Sequence, residues 1–213
     1  MSDLYSDLSH ALIAGNIETT KKLVNQALAG GTDAQTVLEG GLLPGMHKVG
    51  ERFKAGEMFI PEVLLSARTM RAAMDILHPF LTANGGVGGA GTVVIGTVEG
   101  DLHNIGKNLV AMMLEGAGFR VVDLGINVKP QVFVQAVSEH KPEIVAMSAL
   151  LTTTMLRMAE TVNALKEANM RDRVKIMVGG APVTDEFVKK IGGDGYASNA
   201  GAAVDKAKEL LGR

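Results

Sequence analysis

Residues 92–118 read TVVIGTVEGDLHNIGKNLVAMMLEGAG. An unbroken apolar run from Thr92 to Val98 gives way, through Glu99, Gly100 and Asp101, to a stretch at 105–117 whose apolar residues recur at helical spacing. A strand with no polar alternation is buried on both faces, and a helix that follows it directly is the crossover that covers one of them. The couplet repeats down the chain. FRVVDLG precedes a helical pattern at 130–140, EIVAMSA one at 153–169, VKIMVGG one at 184–191 and GYAS one at 201–212. Five such couplets predict an α/β fold with a five-stranded, doubly wound parallel sheet.

Upstream, residues 1 to about 81 read as helices throughout. DLSHALIAGNIETTKKLVNQALAGG ends in Gly30-Gly31, a C-terminal stop, and Asp33 and Gly56 are placed to cap and to break the segment that follows. IPEVLLSARTMRAAMDILHPFL puts Val63, Ala67, Met70, Met74 and Leu77 on one helical face. Four helices account for this half, predicting a helical domain over residues 1–83. In TANGGVGGAG, residues 82–91, every second residue on average is glycine, which is the composition of a flexible linker. The linker is assigned to 84–91 and the α/β domain to 92–213.

Composition narrows the functions open to the chain. With 213 residues and 46% hydrophobic content it buries a substantial core. A formal charge of -2 and 4% aromatic residues provide neither a basic stripe nor a stacking platform, so nucleic acid is not an expected partner. The absence of cysteine removes disulfides, cysteine-ligated zinc or iron–sulfur sites, and a thiol nucleophile. The opening MSDLYSDLSHALIAGN is acidic and has no long apolar segment after a cationic one, and no apolar run reaches the length of a membrane span. A cytoplasmic location, with no membrane partner, is the expectation. The twelve methionines are read as adaptable core filler.

In open parallel sheets ligands bind beyond the carboxyl ends of the strands. His103 follows the first strand, Ser148 to Thr154 the third, Gly179-Gly180 the fourth and Ala197 to Ala200 the fifth, so these segments should share one rim. The glycines after the first strand, at 96, 100 and 106, do not fit G-x-G-x-x-G, which disfavours a nicotinamide-dependent dehydrogenase. From the residues alone His103 has two readings. It either caps a turn, or binds a metal through one ring nitrogen while the other donates to Asp101. No second histidine or carboxylate cluster lies nearby, so in the second reading most ligands come from a cofactor.

DLHNIGKN resembles the D-x-H-x-x-G signature of the cobalamin-binding domains of methionine synthase, corrinoid methyl-transfer proteins and base-off mutases. Ser148-Ala149-Leu150 matches that family's S-x-L element after the third strand, and Gly179-Gly180 its glycine pair after the fourth. GMHKVGERFKAGEMFIPEVLLSARTMRAAM is similar to the helical cap of methionine synthase and the small corrinoid proteins, which extends the resemblance over residues 5–213. It implies a four-helix bundle cap followed by a Rossmann-like, flavodoxin-like sheet domain, and cobalamin or a related cobamide as cofactor. His103 would replace the cofactor's own base as lower cobalt ligand, Asp101 would be its partner, and Thr154 would stand where methionine synthase has a serine. Gly100, Leu102, Asn104 and Gly106 belong to the same binding turn. Ser148, Leu150, Thr152, Gly179, Gly180, Asn199 and Ala200 would line the slot for the nucleotide tail. In the cap, Phe53, Ile60 and Val63 match positions that press on the methyl face, and Glu39 matches a glutamate near the cofactor.

The resemblance further implies a methyl carrier, a subunit of a multi-component system and not a complete enzyme. It would take a methyl group from a substrate:corrinoid methyltransferase and deliver it to a methylcorrinoid:tetrahydrofolate or coenzyme M methyltransferase, with a reductive activase as third partner and the linker as hinge. A cobalamin-responsive regulator is the alternative, but such proteins attach a helix-turn-helix for which 213 residues leave no room. An α/β binding module without a corrin is the third reading.

Overall fold

The computed structural model describes residues 2–83 and 90–213. Two compact units form, one from Met1–Gly89 with Glu115–Gly118 and the other from Ala90–Leu114 with Phe119–Arg213. Of the glycine-rich segment 84–91 that sequence marks as a linker, only Ala90 and Gly91 lie within the described residues.

The first unit is helical: α1 (Ser2–Ile13), α2 (Ile17–Ala29), α3 (Ala34–Val37), α4 (Leu43–Lys54) and α5 (Ile60–Ala83). Asn16 and Asp33 cap α2 and α3 by accepting the N–H groups of Thr19 and Thr36 at 3.0 and 2.9 Å, so the expected cap at Asp33 is present. A π-helical turn over Leu38–Leu42 joins α3 to α4, making one long rod where sequence periodicity alone suggests a regular helix. Pro44 explains the change of register. Proline has no N–H for an α-type bond, and the widened turn, closed by Leu43 N–H donating to Leu38 O, absorbs a residue just before it. Counting that rod as one, four helices pack together, as the apolar periodicity predicts. Leu8, Leu12, Val24, Val37, Leu42 and Leu77 are buried among them. On α5, Val63, Ala67, Met70 and Leu77 are buried and Met74 is half-buried.

The second unit alternates strand and helix: β1 (Thr92–Thr97), α6 (Ile105–Gly116), β2 (Arg120–Asp123), α7 (Pro130–His140), β3 (Ile144–Ser148), α8 (Leu156–Glu167), β4 (Lys175–Gly179), α9 (Asp185–Ile191), β5 (Gly195–Ala197) and α10 (Ala200–Leu210). Every pairing is parallel and the strand order is β2-β1-β3-β4-β5. The five couplets of the sequence therefore form the flavodoxin-like sheet expected of them. β1 and β3 are buried almost throughout, whereas β2, at the edge, is only half-buried.

This order places the site. The chain leaves β1 toward one edge and returns to β3 on the other side, so the crossovers after β1 and β3 diverge and open a crevice. The register brings Thr97, Ser148, Gly179 and Ala197 into one line across the carboxyl edge of the sheet. Four small residues in a row leave that edge low and open.

Candidate functional site

Beyond Thr97 the chain turns sharply, with Asp101 N–H donating to Val98 O at 3.1 Å and Gly100 at a φ of 81°, which an L side chain rarely adopts. The turn drives the Asp101 side chain inward, where it is wholly buried. Both carboxylate oxygens are occupied. Oδ1 accepts the His103 N–H at 3.0 Å and faces His103 Nδ1 at 2.8 Å. Oδ2 accepts the Leu150 N–H at 2.7 Å and the Thr154 hydroxyl at 2.6 Å. Burial pushes the carboxyl pKa up, but the bonds from the Thr154 hydroxyl, the Leu150 N–H, and the His103 N–H and ring outweigh it and hold Asp101 well below the usual carboxylate range.

An ionised carboxylate only accepts hydrogen bonds, so Nδ1 of His103 carries the proton and Nε2 of the neutral ring keeps its lone pair. The ring is about half exposed, at 52% of its side-chain surface. The Thr154–Asp101–His103 chain thus runs from the interior to the surface and ends in a nitrogen able to donate to a metal. Among the described residues no three His, Cys, Asp or Glu side chains gather to hold a metal ion. A metal at Nε2 must bring its other ligands with it, which is the donor set of a macrocycle and not of a protein-built zinc site. Around the histidine the rim is apolar: Leu102 and Ile105 are 66% and 74% exposed, and Leu150, Leu151 and Leu156 are exposed as well. Such a collar suits a flat, largely apolar ligand. The residues present fit a corrinoid.

The remaining residues expected at the site fall into two groups. Asn104 stands exposed in the turn beside His103 and Gly106 exposed in the first turn of α6, where a Cβ would meet nothing within 4 Å. Ser148 is half-buried in the small-residue row, and Thr152 is exposed in the loop above it. Gly180 has a φ of 134°, and a Cβ there would lie 1.8 Å from the carbonyl oxygen of Ala149, so the chain's own β3 exit already demands glycine. At Gly179 the nearest obstacle is the Ala197 carbonyl, 3.1 Å from where a Cβ would sit. Asn199 caps α10, accepting from Ala202 N–H at 2.9 Å, and Ala200 is buried in the first turn. In the helical unit Glu39 is exposed on the π turn and accepts from Gln35 at 2.5 Å. Phe53 is half-buried, Ile60 is exposed, and Val63 is fully enclosed in the bundle. Val63 does not share a surface with Ile60; the exposed neighbour is Phe59.

Three supports of the site escape sequence reading. The buried Thr97 hydroxyl donates to His103 O at 2.9 Å. Lys107, nearly free of solvent, pairs with Asp123 at 2.5 Å. Asn127 accepts the Gly100 N–H at 2.7 Å. Only Lys107 carries a visible signal, as a charged residue directly after the motif glycine.

Comparison with known proteins points the same way. A family described as B12 binding domain matches residues 91–205, and a second B12 binding domain family matches residues 4–78. The trimethylamine corrinoid protein of Methanosarcina barkeri is 47% identical over 195 residues, covering 91% of this chain and 90% of its own. A solved cobalamin-binding protein from Desulfitobacterium hafniense superposes with a TM-score of 0.80 at 36% identity over 99% of both chains. A chain of the methanol:cobalamin methyltransferase complex of Methanosarcina barkeri superposes with a TM-score of 0.88 at 29% identity, covering 99% of this chain and 81% of that one. No described helix is long and apolar enough to cross a membrane.

Proposed function

Because this chain belongs to the B12-binding corrinoid proteins, with a cobalamin-type corrinoid as its cofactor, we propose that it carries methyl groups between two methyltransferases and binds the corrinoid with its nucleotide base displaced by His103. When bound, the corrinoid supplies a cobalt centre that accepts and gives up a methyl group. The observation that carries the reading is the Thr154–Asp101–His103 chain, closed at both links and ending in a half-exposed Nε2.

In this reading Asp101 holds the Nδ1 proton and makes the ring a stronger donor at Nε2, while Thr154 and the Leu150 N–H keep the carboxylate in place. Leu102, Asn104, Ile105 and Gly106 offer the surface beside the histidine. Ser148, Thr152, Gly179, Gly180, Asn199 and Ala200, at the carboxyl edge of the sheet and in the loops beyond it, would hold the nucleotide tail. In the helical unit Glu39, Phe53 and Ile60 are the side chains proposed to meet the cofactor, while Val63 is enclosed in the bundle.

A methylated amine is the proposed donor class, supported by 47% identity to the trimethylamine corrinoid protein. The proposed partners are a substrate:corrinoid methyltransferase specific for that amine, a second methyltransferase acting on coenzyme M or tetrahydrofolate, and a reductive activase. The test loads wild type and His103→Ala with cobalamin, compares visible spectra, and assays methyl transfer from trimethylamine through its methyltransferase. A changed spectrum with slowed transfer supports the reading; identical spectra overturn the ligation.

A further inference from the structure

The turn that presents His103 is gripped from a neighbouring loop, and one side chain supplies the grip. Asn127 lies between β2 and α7 in the left-handed region, with a φ of 54°. From there its Oδ1 accepts the Gly100 N–H at 2.7 Å while its own N–H donates to Asp101 O at 3.0 Å. The pair of bonds brackets Gly100 and Asp101, whose backbone groups lie outside any helix or sheet ladder and must find partners elsewhere. The loop itself is anchored. Thr97 N–H donates to Gly125 O at 3.0 Å, Val128 N–H to Thr97 O at 2.9 Å, and Gly125 N–H to the Asp123 carboxylate at 2.9 Å. That carboxylate is in turn fixed by the buried Lys107 ammonium.

The residue type fits the position for two separate reasons. Asparagine tolerates left-handed backbone better than most side chains, and its short amide places an acceptor where the Gly100 N–H points. The clamp acts on the backbone that carries the Asp101 carboxylate, and the carboxylate orients the imidazole. We propose that Asn127 is a positioning residue for His103, holding Asp101 where it selects the Nδ1–H form of the ring. The consequence for cobalt ligation rests on the function proposed above; the consequence for the ring does not.

Asn127→Gly keeps the left-handed backbone and the N–H but removes the acceptor, and Asn127→Asp restores it. In the protein freed of corrinoid, nitrogen NMR of the His103 ring reads its tautomer directly. The wild type is expected in the Nδ1–H form; in Asn127→Gly the other form rises severalfold relative to it, because the backbone that carries the Asp101 acceptor is no longer held; Asn127→Asp returns to the wild-type pattern. With cobalamin bound in its paramagnetic cobalt(II) state, the fraction showing nitrogen splitting from an axial imidazole falls in Asn127→Gly and recovers in Asn127→Asp. An Asn127→Gly ring that keeps the wild-type tautomer overturns the proposal, as does an aspartate variant that behaves like the glycine one. His103→Ala separates the two ideas: splitting that persists without the imidazole refutes the ligation, while the tautomer still decides the clamp.

Discussion

The hydroxyl of Thr154 donates to Asp101 Oδ2 at 2.6 Å, joining the exits of β3 and β1 across 53 residues of chain. The bond is fully buried, and it is the inner end of the chain that His103 completes at the surface.

Its removal should be felt in folding. Thr154→Val leaves the methyl packing but takes one donor from a buried carboxylate, a loss of about 1.5–3 kcal/mol for a bond to a charged group. Thr154→Ser keeps the hydroxyl and should cost well under half as much. Urea denaturation of the three proteins checks the order; equal losses would mean the hydroxyl is not what matters.

Asp101 sets an acid limit on stability. Its folded pKa lies below its unfolded value, so its contribution is complete above about pH 4 and drains away as pH falls through the lowered folded value. Wild type should therefore lose stability with falling pH more steeply than Asp101→Asn below about pH 4, while the variant starts lower at neutral pH. Denaturation midpoints between pH 7 and pH 2 test the sign.

The Lys107–Asp123 pair should respond unequally to loss of either partner. The Lys107 side chain is 1% exposed and that of Asp123 43%. Lys107→Met leaves a carboxylate that water can still solvate. Asp123→Ala strands a buried ammonium with Asn108 Oδ1, at 2.8 Å, in place of its counter-charge. The aspartate variant should be the less stable, by up to about 3 kcal/mol, measured by thermal unfolding.

Two glycines of the rim should part company when given a methyl group. Gly180→Ala forces a Cβ against the Ala149 carbonyl and should destabilise by about 3 kcal/mol or more. Gly106→Ala meets open space in the first turn of α6, and the protein should be as stable as wild type or slightly more so. If Gly106 nevertheless faces the corrinoid, cobalamin affinity drops in that variant without loss of stability. Unchanged affinity removes Gly106 from the site.

Several features were legible because they are local. Apolar runs alternating with helical spacing specify strands and crossovers wherever they fold, and the caps at Asp33 and the stop at Gly30 act within a few residues of themselves. Asp101 and His103, two residues apart in one turn, could be paired on paper for the same reason. The π turn was hidden because a helical repeat looks the same until the proline that resets it is weighed.

The amino-acid sequence by itself determined the two architectures, the motif turn and the identity of the imidazole that turn presents, since each depends on neighbours along the chain. Tertiary structure alone decided that Val63 is enclosed while Phe59 is bare, that Gly180 answers to the Ala149 carbonyl, and that Asn127 grips the turn from the next loop. These depend on which strand lies beside which, and that order is settled by the packing of whole layers, a property no single stretch of residues contains.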